Sequence, residues 1–332
     1  MAKYNSPLVL QRADPFVYKH TDGYYYFSAT VPEYDRIEIR RVKKLNDLAT
    51  AEPRVVWRKH RISYMSSHIW APEIHYIMGK WVIYFAAGSL PNVWEIRPYA
   101  LMCKGNDPMN DEWEECGMLE RAQDDPFSFT DFSLDTTVFE HRKKWYIIWA
   151  EKVGHGDAIS NLYIAELENP TKLKTVQVLL TSPDYDWERI DYWVNEGPAV
   201  IKNDGKIFVT YSASATGAMY CMGMLSADED ADLLDPRSWT KKRYPVLSTN
   251  ETLKVYGPGH NCFTVGDDGE PLCMLHFRNY ERIKGDPLLD HNRHAHVISV
   301  KFNADGEPLF LLDPNELYNV PFENEKQKNI NI

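Results

Sequence analysis

Acidic residues recur along this chain at positions from which a fold could gather them. Asp14, Glu73, Asp135, Glu196 and His260 each open a stretch of one plan, a short apolar run, a turn, then a second run rich in aromatics, and they follow one another at intervals of 59, 62, 61 and 64 residues. A lone Asp before a proline is most simply a turn residue. Four acids in one register across five stretches call for another reason. Carboxyls converging on one pit repel each other and resist burial, so their pKa values separate and one can hold its proton while another is ionised. Such a pair flanking a bond can protonate a leaving oxygen and activate a water, as glycoside hydrolysis requires. The chain has no GxSxG elbow, P-loop, GxGxxG after a strand or HExxH to support a rival chemistry.

The elements that must position these residues are strands. Each stretch pairs two apolar runs across a turn such as Asp22-Gly23, Gly79-Lys80 or Asp204-Gly205, which is a hairpin pattern with no helical period. Roughly sixty residues per repeat hold four short strands with generous loops. The absence of helical segments between them argues against a parallel α/β design. The expectation is an all-β, five-bladed β-propeller forming a single domain over residues 1–320, with a polar C-terminal tail at 321–332. In a propeller the innermost strand of each blade lines the axis, which would bring the five lead residues to one end of it. The stretch from His294 to Phe310 is expected to supply the last strand that completes the ring. A chain of 332 residues buries a core large enough to need neither disulfides nor metals for stability.

Ala13-Asp14-Pro15, Ser133-Leu134-Asp135 and Asn195-Glu196-Gly197-Pro198 resemble, in order and spacing, the three catalytic motifs of glycoside hydrolase family 43. Trp70-Ala71-Pro72 and His276-Phe277-Arg278-Asn279 are similar to further motifs of that family, and the likeness spans nearly the whole chain. It implies an inverting enzyme with a five-bladed propeller. Asp14 would be the general base and Glu196 the general acid, with Asp135 tuning and orienting Glu196. Arg278 would hold hydroxyls of the terminal sugar and Trp70 would form an apolar wall. Glu73 would be a structural acid behind Trp70. His260 resembles the family's central-channel histidine, which implies a hydrated calcium ion (Ca2+) beside it; no organic cofactor is implied. The subfamily likeness favours release of terminal α-L-arabinofuranosyl residues from small oligosaccharides. A β-xylosidase, or one pocket serving both sugars, is the alternative, and a glycan-binding propeller without catalysis is the non-enzyme reading.

Composition narrows the partners. A net charge of −11 argues against nucleic acid and anionic membranes, and no apolar run approaches the length of a membrane span. The five cysteines are odd in number and form no CxxC pair, which suits reduced thiols and a cytoplasmic location; a secreted form trimmed of its signal would look the same. Several features read as decoys. Asn106-Asp107-Pro108 and Glu115-Cys116 are similar to motifs of invertase-like hydrolases but fall off the repeat register, as loop. Histidines 291, 294 and 296 lack the acids or cysteines of a metal cluster. The basic run Arg40, Arg41, Lys43 and Lys44 and the acidic run Asp228–Asp235 read as solvated surface.

Overall fold

Tyr25-Tyr26-Phe27, Ile147-Ile148-Trp149 and Phe208-Val209-Thr210 are β-branched and aromatic runs suited to a pleated surface buried on both faces. Each forms the second strand of a hairpin and is almost wholly buried. The computed structural model describes residues 2–152 and 159–320, so the polar tail expected at 321–332 lies outside the described residues.

The described residues form strands and short 3-10 turns only. Strands β1 (Ala13–Lys19), β2 (Tyr25–Thr30), β3 (Arg36–Val42) and β4 (Arg54–Arg58) make one antiparallel sheet, and β5 (Ser67–Ile77), β6 (Lys80–Gly88), β7 (Arg97–Cys103) and β8 (Trp113–Met118) make a second. The third unit runs β9 (Ser133–His141), β10 (Lys144–Lys152) and β11 (Ile159–Asn169), and β11 also pairs with β12 (Lys172–Leu173) and β13 (Val178–Thr181). The fourth is β14 (Trp193–Asn203), β15 (Lys206–Ala213), β16 (Cys221–Asp228) and β17 (Thr240–Lys241), joined to the third by a short parallel pairing of β11 with β14. Last come β18 (Tyr256–Val265), β19 (Pro271–Arg278), β20 (His294–Phe302) and β21 (Pro308–Leu311).

The first strands of successive units touch in a closed cycle: β1 on β5, β5 on β9, β9 on β14, β14 on β18, and β18 back on β1. Closure therefore runs through β18 against β1. It is reinforced where Leu8 N–H donates to the Ala295 carbonyl at 2.8 Å and Ala295 N–H to the Val9 carbonyl at 2.9 Å. The stretch from His294 onward, expected to supply the last strand that completes the ring, forms the two outer strands of the fifth unit and contributes Ala295 to that pairing.

Every first strand breaks its ladder at the same place. The register shifts after Ala13, Trp70, Leu134, Glu196 and Gly259, which face Thr30, Ala86, Ala150, Ser212 and His276 on the second strands. The following residue is left-handed in all five: Asp14 (φ 53°), Ala71 (45°), Asp135 (54°), Gly197 (55°) and His260 (44°). This is the geometry of a β-bulge, which re-aims a side chain at the cost of local pairing. Four of the five are not glycine, so each stores about 1–3 kcal/mol of backbone strain that the surroundings must hold.

A bulged residue's N–H leaves the ladder and needs another acceptor. Neighbouring units supply it. Ala71 N–H donates to Thr30 Oγ1 at 2.7 Å, His260 N–H to Ser212 Oγ at 2.7 Å, Gly197 N–H to Asp135 Oδ2 at 3.0 Å and Asp14 N–H to His276 Nδ1 at 3.0 Å. Thr30 also donates to Asp14 Oδ2 at 2.5 Å, so one hydroxyl joins the first two units and holds a site carboxylate. Thr30→Val keeps the shape and removes both bonds; it should lower unfolding free energy by about 2–3 kcal/mol, since two buried polar groups lose their partner, read as a reduced melting temperature.

Candidate active site

The bulges open onto a cavity of about 580 Å3 lined by Asp14, Asp135, Glu196, His260, Arg293 and Trp70, among others, a volume suited to a small ligand. Asp14, Asp135 and His260 occupy the bulge position itself, whereas Glu196 and Trp70 stand one residue earlier. Glu196 therefore enters from a different angle than the other two acids. Glu73 lies two residues beyond its unit's bulge, does not line the cavity, and hydrogen-bonds His75 Nε2 at 2.8 Å. The repeat register thus overreached at Glu73: the structure gathers four of the five lead residues.

The site balances its charges. His260 Nδ1 sits 3.2 Å from Asp14 Oδ1 and 3.8 Å from Asp135 Oδ2. Burial disfavours a charged His260, but Asp14, Asp135 and Glu196 together outweigh it and raise its pKa. Arg293 Nη1 is 3.7 Å from Asp14 Oδ1, and Arg293 also donates to Tyr34 Oη at 3.1 Å. Burial alone would raise the Asp14 pKa, yet His260 and Arg293 bring it down to about 2. Asp14 is thus ionised. His276 Nδ1 also lies 3.5 Å from Asp14 Oδ1, but that nitrogen accepts the Asp14 N–H. Burial and Arg293 depress its pKa, so it is neutral and the contact is no ion pair.

The other two carboxyls go the opposite way. Burial raises the pKa of Asp135, as do its neighbours Glu196 and Asp14, and burial and Asp14 raise that of Glu196. Two adjacent buried carboxyls cannot both ionise cheaply, so the pair retains a proton. One cavity thus holds an ionised carboxylate and a proton-bearing pair.

Trp70 lines the cavity, edge-on to Tyr34 at 5.7 Å and tilted against His68 at 4.5 Å. Trp94, 51% exposed, extends that wall toward the mouth. Arg278 requires a correction. It does not line the cavity; its guanidinium is buried and donates to the carbonyls of Thr216 at 3.0 Å and Pro287 at 2.9 Å and to Asp290 Oδ1 at 3.3 Å. It anchors the loop whose Asp286, Pro287 and Leu288 line the cavity, while the arginine facing the cavity is Arg293. The only sequence signal for Arg293 was its place inside the histidine-rich run 291–296. Those histidines are structural where they are strand-borne: His294 Nδ1 accepts the Gln11 N–H at 2.9 Å, and His296 stacks on Phe277 at 3.6 Å. Asp107 closes its own turn by accepting the Met109 N–H at 2.9 Å, while Glu115 and Cys116 lie on outer strand β8 rather than in a loop.

Among the described residues no three His, Cys, Asp or Glu side chains converge as metal ligands. Calcium prefers oxygen donors, and His260 offers one imidazole whose Nδ1 already faces carboxylates. These residues do not make a calcium site by themselves, and no step below runs through a metal.

An all-β ring with an ionised carboxylate and a proton-holding pair in one cavity defines a site for acid–base hydrolysis. The sequence profile of glycosyl hydrolases family 43 matches residues 4–308, and the chain belongs to that family. It is 49% identical over 308 residues to an extracellular exo-α-(1→5)-L-arabinofuranosidase of Streptomyces avermitilis, covering 92% of this chain and 63% of that protein. The chain thus spans under two thirds of that relative's length. A protein of the same name from Streptomyces chartreusis is 49% identical over 287 residues, 86% of each chain. The crystal structure of an α-L-arabinofuranosidase from Lactobacillus brevis superposes with a TM-score of 0.87 at 53% identity, covering 92% of this chain and 95% of that one.

The cytoplasmic location expected from the cysteines is overturned by the two Streptomyces relatives, which are named extracellular and point to a secreted protein. The unpaired thiols were a misleading signal. Cys103, Cys221, Cys262 and Cys273 are buried, and burial pushes the Cys221 thiol up to about 12. Such cysteines act as small apolar packing groups, and their reduced state says nothing about compartment.

Arg293→Gln removes a positive charge that depresses Asp14. The Asp14 pKa should rise, so the acid limb of kcat/KM on an aryl glycoside should move to higher pH, as a pH–rate profile will read.

Proposed function

We propose that this chain is an inverting, exo-acting α-L-arabinofuranosidase, secreted, and built as a single five-bladed β-propeller over residues 1–320. The observation that carries the reading is the gathering of Asp14, Asp135 and Glu196 in one cavity, with His260 Nδ1 and Arg293 against Asp14, while burial raises the pKa of Glu196 and of Asp135. The closed cycle of first strands supports the five-bladed form. The names of the relatives support the sugar.

In this reading Asp14 takes a proton from a water that attacks the anomeric carbon, and Glu196 delivers its proton to the departing oxygen. Asp135, packed beside Glu196, keeps the Glu196 carboxyl protonated at neutral pH. The positive charges of His260 and Arg293 keep Asp14 ionised and so free to accept that proton. Trp70 supplies the apolar face of the pocket and Arg293 the donors for sugar hydroxyls, the role first expected of Arg278. Inversion requires the acid and base carboxyls to stand about 6.5–9.5 Å apart, leaving room for that water.

Turnover of nitrophenyl α-L-arabinofuranoside well above that of the β-xyloside is expected, and the reverse preference would select the β-xylosidase reading. Proton NMR of the first-formed sugar should show inverted anomeric configuration. The acids separate by leaving group. Asp14→Ala should slow every substrate by about a hundredfold or more, whereas the loss in Glu196→Ala should shrink on nitrophenyl glycosides, whose leaving group departs without protonation.

A further inference from the structure

A carboxylic acid that donates a proton has two oxygens, and among the described residues one of those of Glu196 is held by a side-chain donor. Tyr220 Oη donates to Glu196 Oε1 at 2.7 Å. Tyr220 is 1% exposed, and burial together with the nearby Glu196 and Asp135 carboxyls raises its pKa far above the usual value, so it keeps its proton. A tyrosine hydroxyl has a single proton, and here it is given to Glu196 Oε1, so that oxygen serves as an acceptor.

The tyrosine has little freedom to leave. Its ring lies parallel to His276, 3° between planes at 5.8 Å. On its other flank, a Cβ added at Gly259 would fall 2.4 Å from Tyr220 Cε1.

We infer that Tyr220 selects which oxygen of Glu196 carries the catalytic proton: it keeps Oε1 as an acceptor and leaves Oε2 to bear the proton into the cavity. The inference rests on the proposed role of Glu196 as general acid. Tyr220 is then a positioning residue that acts through Glu196. The charged and titratable groups around Glu196 are Asp14 on β1, Asp135 on β9, His260 on β18, Arg293 before β20 and Tyr220 before β16. Of these, Tyr220 is the hydrogen-bonded partner of its carboxyl. A donor to a carboxyl favours the ionised form, so removing it raises the acid's pKa.

Tyr220→Phe keeps the ring against His276 and deletes only the hydroxyl. On arabino-oligosaccharides kcat should fall about tenfold or more, the worth of one hydrogen bond to a charged group, with KM little changed. On the nitrophenyl glycoside kcat should change much less, and the basic limb of the pH profile should move to higher pH. Equal losses on both leaving groups, an effect confined to KM, or an unmoved basic limb in a Tyr220→Phe protein that melts like the parent would overturn the inference. Glu196→Ala run in parallel keeps the two readings apart. If its loss does not depend on leaving group, the acid assignment is wrong and the inference falls with it; if it does, a failure of Tyr220→Phe counts against the tyrosine alone.

Discussion

Asp14, Asp135 and Glu196 cannot all be ionised in the space they share, and the rest of the site follows from that constraint. Transfer of a bare carboxylate out of water costs several kcal/mol even after relaxation, so a buried one needs a partner. His260 and Arg293 serve Asp14 in that way, and a retained proton serves the other two. The result is an unequal distribution of protons. That inequality turns three acids of one chemical type into a base, an acid and a modulator.

Holding the groups in place uses a repeated device with local substitutions. Each first strand is kinked at a bulge, and the second-strand residue facing the kink is Thr30, Ser212 or His276 in three units and Ala86 or Ala150 in the other two. The three polar residues accept bulge amides and support Asp14 and His260. The two alanines belong to an apolar cluster against which Trp70 packs. One architectural position thus carries polar support on one side of the cavity and apolar packing on the other.

The strand-rich repeat, its hairpins and the acids Asp14, Asp135 and Glu196 were legible in the sequence because alternation and turn residues record strand pairing directly. The register was less so. A bulge adds one residue without a compositional mark, so an alignment on acidic residues slips by one at Glu196 and by two at Glu73. Arg278 and Arg293 show a second limit. Both are buried arginines near the site, and which one faces the cavity depends on how the loop at 286–290 folds back, since that loop consumes the donors of Arg278. Tyr220 carried no motif at all; its role arises from contact with Glu196, twenty-four positions away.

The closed cycle has a thermodynamic corollary. In a linear stack of repeats the end units have one neighbour each and can fray at the cost of a single interface. A ring has no end unit. Opening any one unit exposes two faces and, at the junction of β18 with β1, also releases the strand-like pairing of Leu8 and Val9 with Ala295. Partial unfolding is penalised twice wherever it starts, so the molecule tends to lose its structure as a whole or not at all. The acids, spread over three units, inherit that all-or-none behaviour: their mutual distances persist for as long as the ring does.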